Sequence, residues 1–320
     1  MSATADSVAV NPSAPSAAAP GWPALWRAHA HAHPLVTAGL AAAGLGVLYL
    51  SVQSLVLFAL GKAPPNLHYA LLGGAAGFAA TAAGALPALF LRTLAQRLAD
   101  ILLGFAAGMM LAASSFSLIL PGLDAGEQVS GSAGLGAAIV VAGMELGVLL
   151  MLGLDEFTPH EHDSTGPCGA GCERVGRVWL FVLAIALHNL PEGMAIGVSF
   201  AQGDLQVGLP LTTAIALQDI PEGLAVAMAL RGAGLSPLAA AAVAAASGVL
   251  EPVGALLGVG LSGGLAATYP LGLGLAAGAM LFVVSHEVIP ETHRNGHQTP
   301  ATIGLMAGFA VMMVLDTTLG

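Results

Sequence analysis

Residues 178–200 read VWLFVLAIALHNLPEGMAIGVSF, and residues 207–230 read VGLPLTTAIALQDIPEGLAVAMAL. At about 20 residues each, both are long enough to cross a hydrocarbon core as a helix, and neither alternates in polarity as a barrel strand would. Yet the middle of each is polar: His188-Asn189-Leu190-Pro191-Glu192-Gly193 in one, Gln218-Asp219-Ile220-Pro221-Glu222-Gly223 in the other. Ionisable side chains inside a spanning helix are costly and mark a functional site by default. These two stretches therefore set the fold class, an all-α integral membrane protein, and they set its candidate centre, a metal site inside the membrane.

Working outward, the composition agrees. Of 320 residues, 56% are hydrophobic and only 8% are charged, far below the roughly 25% charged residues of a soluble domain. The net charge of -10 argues against a nucleic-acid partner and leaves the lipid bilayer as the obvious one. The hydropathy predicts about nine transmembrane helices, 35–60, 67–91, 99–121, 134–157, 177–201, 207–230, 237–260, 269–290 and 299–319. Residues 1–33, rich in Ala, Pro and Ser, read as a retained flexible tail, in which His29, His31 and His33 are more simply solvated than metal-binding. Residues 34–320 read as one membrane domain. With the N-terminus cytoplasmic, Arg27, Arg92, Arg97, Arg174, Arg177, Arg231 and Arg294 all fall on the cytoplasmic side and only Lys62 falls outside, as the positive-inside rule requires. The C-terminus then faces outward.

The chain also repeats itself in reverse sense. Leu103-Gly-Phe-Ala-Ala-Gly-Met-Met-Leu111 on the third span returns as Leu273-Gly-Leu-Ala-Ala-Gly-Ala-Met-Leu281 on the eighth. One span leads outward and the other inward, and the two opening motifs show the same reversal. Inverted repeats with a polar site on interrupted helices between them are a mark of transporters. Chance likeness of Gly- and Ala-rich packing helices is the competing account of the nine-residue match alone.

Residues four apart on a helix share a face, so His188 lies with Glu192 and Gln218 with Glu222. Asn189 and Asp219 are turned by one position. Pro191 and Pro221 each free a carbonyl one turn earlier. Glu251, in Ser247-Gly-Val-Leu-Glu-Pro252 on the seventh span, adds another carboxylate. Several carboxylates in a low-dielectric site hold either protons or a cation. Imidazole, carboxylate and amide oxygen suit Zn²⁺, Cd²⁺, Fe²⁺ or Mn²⁺ and not Cu⁺. A buried hydrogen-bond network explains one such residue well and this whole set poorly.

His-Asn-x-Pro-Glu-Gly followed by Gln-Asp-x-Pro-Glu-Gly on consecutive spans resembles the ZIP (Zrt/Irt-like protein) family of divalent metal transporters. The resemblance runs from about Leu67 to the end, and the extra first span is similar to that of the family's bacterial prototype. It implies that His188, Glu192, Gln218 and Glu222 hold the main transported ion. Asn189, Asp219 and Glu251 then complete a second site, with Glu192 and Glu222 bridging. Many members have His where this chain has Gln218 and Asp where it has Asn189, which bears on metal preference. The resemblance also places Met110 at the upper edge of the site, although a packing methionine explains that residue nearly as well. It further implies alternating access in which a bundle carrying spans five, six, three and eight slides against the remaining helices, and it implies a bacterial inner membrane as the location.

Weaker positions follow. His286 and Glu287, near the cytoplasmic end of the eighth span, read as an exit way-station that Asp155 could join, against a solvated helix end. Asp124 and Asp316 lie near outer span ends, as cation attractors or as interfacial caps. The cytoplasmic loop 158–176 holds His160-Glu-His162-Asp163 and Cys168-x-x-x-Cys172. This ligand-rich tract matches no closed zinc site and reads as a loose sensing or buffering loop, or as disorder without function. No phosphate-binding loop is present, no cofactor is expected, and a homodimer is among the expected assemblies. The expectation is a non-enzymatic importer of divalent metal, zinc foremost. The rivals are an intramembrane metal hydrolase, which H-E-x-x-H would have favoured and which this chain lacks, and a metal sensor without transport.

Overall fold

A computed structural model describes residues 60–62, 65–157, 160–162, 166–168, 177–262 and 265–319, with scattered positions between 27 and 57. The expected tail and first span lie largely outside the described residues; the described positions from 27 to 57 are helical apart from His33. The first described span is α1, Pro65–Ala85, which tightens into a 3-10 turn ending at Leu89. The next is α2, Gln96–Ala113, which runs through a π-helical segment, Ser114–Ile119, into α3, Leu120–Ser130. Then come α4, Ala133–Phe157, α5, Arg177–Ser199, and α6, Leu205–Gly232. The seventh span is broken into α7, Pro237–Ser247, and α8, Leu250–Leu261. The eighth is α9, Thr268–Val283, joined by a π-helical segment, Val284–Val288, to α10, Ile289–His293. Last is α11, Gln298–Leu319.

Among the described residues, seven helical segments are long and apolar enough to cross a membrane. The 23-residue α5 adds another, and the expected first span lies largely outside the described residues. Two expected boundaries shift for a physical reason. The third span continues to Ser130 instead of ending at Pro121, because Pro121 sits in the first turn after the π-helical segment. A missing N–H there falls where the hydrogen-bond ladder is already out of register. Pro290 stands in the same relation to the π-helical segment of the eighth span. The seventh span is interrupted just before Glu251, whose N–H bonds the Gly248 carbonyl three residues back.

The packing obeys the reversal seen in sequence. Helix α2 pairs with α11, and its repeat counterpart α9 pairs with α4; α1 pairs with α6, and α8 pairs with α5. The seams are glycine-lined. A Cβ on Gly104 or Gly108 would overlap the carbonyls of Ala301 or Leu305, and one on Gly274 or Gly278 those of Val140 or Met144. Small residues let helix backbones approach where burial against lipid gives little drive. The result is two bundles. One joins α1, α5, α6 and the broken α7–α8; the other joins α2–α3, α4, α9–α10 and α11. This corrects the grouping expected from sequence: spans three and eight belong to the second bundle, and spans two and seven accompany five and six. Buried Met109, Met110, Ile196, Leu211, Ile215 and Met280 share the apolar core where the bundles meet.

Within the loop before α5 two short segments are described. His160–His162 (β1) pairs antiparallel with Gly166–Cys168 (β2), His160 opposite Cys168 and His162 opposite Gly166.

Candidate metal centre

The two Pro-Glu-Gly motifs lie in unbroken helices, with Pro191 inside α5 and Pro221 inside α6. Their glycines set the depth of contact. A Cβ on Gly193 would overlap the Glu251 carbonyl on α8, and one on Gly223 would overlap the Thr81 carbonyl on α1. Each motif is thereby pressed against the other repeat's short-residue helix, and the carboxylates converge. Glu192, Asp219 and Glu222 each offer an oxygen, and all three lie within 4.8 Å of one another. His188, Asn189, Glu192, Gln218, Asp219, Glu222 and Glu251 are each at most 2% exposed.

Internal partners account for only part of this polarity. Gln218 Nε2 donates to Glu192 Oε1 at 2.6 Å, and Thr81 Oγ1 donates to Glu251 Oε1 at 2.8 Å. His188 Nε2 lies 3.0 Å from Glu287 Oε2. The remaining atoms have no protein partner: His188 Nδ1, Asn189 Nδ2, Glu192 Oε2, Gln218 Oε1, both oxygens of Asp219 and of Glu222, and Glu251 Oε2. Buried polar atoms are nearly always bonded, so such a concentration of bare acceptors calls for a cationic ligand. The donors present, one imidazole nitrogen, carboxylate oxygens and an amide oxygen, can hold a divalent transition metal.

Other expected positions divide. Glu287, expected on the exit path, lies in the π-helical segment Val284–Val288 and touches the centre through His188 Nε2 at 3.0 Å. His286 is exposed and stacks on Phe282 with ring centroids 4.8 Å apart. Met110 is fully buried in the apolar core with Ala214 and Ile215. Asp316 accepts from Ser117 Oγ at 2.6 Å, tying α11 to the π-helical segment of the third span. Asp124 lines a cavity of about 570 Å³ between the bundles, with Gln128, Gln202, Asp204 and Tyr269. Asp155 is in α4, and its side chain lies outside the described residues, as do those of His160 and His162. Cys172 and Asp163 lie outside them altogether.

Thr81 was missed from sequence, and so were Ser117 and the close-approach glycines. A signal for Thr81 existed. It precedes Glu251 by 170 residues, the interval that separates Leu103 from Leu273, so the repeat places it opposite that carboxylate.

Spans of this number around a buried, anion-rich centre define a multi-pass helical membrane protein with a site suited to a divalent cation. Comparison with known proteins agrees. Residues 158–316 match the family model described as ZIP Zinc transporter. The chain is 64% identical over 306 residues to zinc transporter ZIPB of Bordetella bronchiseptica, covering 96% of this chain and 99% of that one. It is 44% identical over 242 residues to zinc transporter GufA of Myxococcus xanthus, covering 75% and 95%. It is 32% identical over 339 residues to human zinc transporter ZIP11, covering 80% and 98%. The chain belongs to the ZIP family.

Proposed function

We propose that the protein imports divalent transition-metal cations into the cytoplasm, with zinc as the principal substrate and cadmium, iron or manganese as alternates. The observation that carries this reading is the convergence of Glu192, Asp219 and Glu222, each with a carboxylate oxygen within 4.8 Å of the others, in a centre where most carboxylate oxygens have no protein partner. The names of the relatives above, all zinc transporters, support zinc. The site is binuclear in this reading. His188, Glu192, Gln218 and Glu222 hold one ion; Asn189, Asp219 and Glu251 complete the other, and Glu192 and Glu222 bridge. Nδ1 is the ring nitrogen of His188 left unpartnered, so it can take the ion while Nε2 stays with Glu287.

Transport follows from relative movement of the two bundles. Most ligands ride on α5, α6 and α8, so a bundle carrying them past the other would move the ions with it. Asp124 and Asp316 lie toward the end proposed to face outward, and Glu287, His286 and Asp155 toward the cytoplasmic end.

Uptake of zinc, cadmium and manganese into proteoliposomes tests this. Saturable flux is expected in the native protein and should vanish in Glu192→Ala and Glu222→Ala. An absence of flux in the native protein, together with a lipid- or peptide-cleaving activity sensitive to those changes, would overturn the reading in favour of a hydrolase.

A further inference from the structure

Glu251 is the one carboxylate of the centre whose first oxygen is held by a hydroxyl. Thr81, 2% exposed on α1, donates Oγ1–H to Glu251 Oε1 at 2.8 Å and also lies 3.3 Å from the Gly77 carbonyl. Glu251 Oε2 has no protein partner. Gly77, one turn before Thr81, makes the space for it: a Cβ there would overlap Glu251 Oε2 and come within 3.2 Å of Asp219 Oδ2. The unpartnered oxygens of Glu251 and Asp219 therefore border the same small space beside Gly77. Thr81 is itself fixed from the other half of the site, since its backbone carbonyl is what Gly223 of the second motif packs against.

We infer that Thr81, seated above Gly77, is a positioning residue for the second ion: by holding Glu251 Oε1 it presents Oε2 alone, beside Asp219, as the coordinating atom. This rests on the binuclear reading. A carboxylate on a two-bond stem can swivel, bind through both oxygens or turn away. A donor bonded to one oxygen selects a single orientation, and loss of such supporting partners typically weakens metal binding by about 10–100-fold. The pair also fits the spacing of the repeat. Thr81 and Glu251 occupy equivalent places 170 residues apart, so the two repeats contribute a donor and an acceptor where strict symmetry would set two like groups facing each other.

Zinc titration of the purified full-length protein, stripped of metal and followed by equilibrium dialysis with elemental analysis, tests the assignment. The native protein should take two equivalents. Thr81→Val, which keeps the shape and removes the donor, should weaken the second equivalent by about 10–100-fold and leave the first unchanged; Thr81→Ser should restore it. Gly77→Ala, which crowds Oε2, should reproduce the Thr81→Val defect. Two equivalents of native affinity in Thr81→Val would overturn the role of Thr81, and so would equal defects in Thr81→Val and Thr81→Ser, which would mark a packing role. A native protein that takes only one equivalent, unchanged by Glu251→Gln, would overturn the binuclear reading itself.

Discussion

Glu222 keeps both carboxylate oxygens bare inside the protein, within reach of bare oxygens on Glu192 and Asp219. Without a cation these carboxylates must either take up protons or repel one another, and each is also separated from water. The metal-free centre is thus a place where stability is given up for function. Glu222→Gln should therefore melt at a higher temperature than the native protein when both are metal-free. It should lose the upward shift that zinc gives the native protein, since a ligand stabilises only the state that binds it. Uptake by this variant should fall by more than about 100-fold, beyond the loss expected for a supporting residue alone. A fluorescence melt in detergent with and without zinc reads the first two effects, and flux reads the third. Gln218 has a double task at the same scale: its Nε2 holds Glu192, and its Oε1 is left bare. In Gln218→His one ring nitrogen can keep Glu192 while the other replaces an oxygen ligand. Nitrogen donors favour zinc over manganese, so the zinc-to-manganese uptake ratio should rise. An unchanged ratio would remove Gln218 from the ligand set.

At the scale of helices, the glycine of each Pro-Glu-Gly motif is a packing device. Gly193 admits α8 and Gly223 admits α1 so closely that a methyl group would meet a carbonyl oxygen. Gly193→Ala and Gly223→Ala should each cost about 1–3 kcal/mol through overpacking. Gly232→Ala, which has nothing within 4 Å, should be neutral or slightly stabilising, because alanine is the better helix former. Melting of the three variants checks this ordering. The same contrast explains what the sequence could tell. Charged residues in apolar runs are legible because their cost in a membrane is large and local, so Glu192, Asp219, Glu222 and Glu251 stood out. The repeat was legible in Leu103–Leu111 and Leu273–Leu281 because glycines recur at fixed helical spacing. Which helices those glycines join was not, since a small-residue seam does not name its partner; the grouping of spans three and eight with five and six came from the resemblance alone, and the seams did not correct it. The contact of Glu287 with His188 was not legible, because a π-helical segment changes the angular register and leaves no mark in composition. Thr81 looked like an ordinary small polar residue until Glu251 stood opposite it.

On the scale of the whole molecule, the candidate ligands of α5, α6 and α8 lie in one bundle and the helices facing them in the other. His188 reaches across to Glu287 on the second bundle at 3.0 Å, and Gln202 and Asp204 share a cavity with Asp124 and Ala125. Within the first bundle, by contrast, Asn66 Nδ2 donates to the Ala201 carbonyl at 2.9 Å, tying α1 to the end of α5. If the bundles slide, a covalent link inside one bundle should be harmless and a link between bundles should stop transport. With Cys168 and Cys172 replaced by serine, Asn66→Cys/Ala201→Cys closed by a short bifunctional thiol reagent should keep most of its zinc uptake. Ala125→Cys/Gln202→Cys, closed by a reagent of the same length, should lose it, and a reductively cleavable version should return it on reduction. Both pairs avoid the ligand set, so zinc binding in detergent should persist in each. Equal inhibition by the two links, or transport through the linked Ala125→Cys/Gln202→Cys protein, would mean that the ions cross without displacement of one bundle past the other.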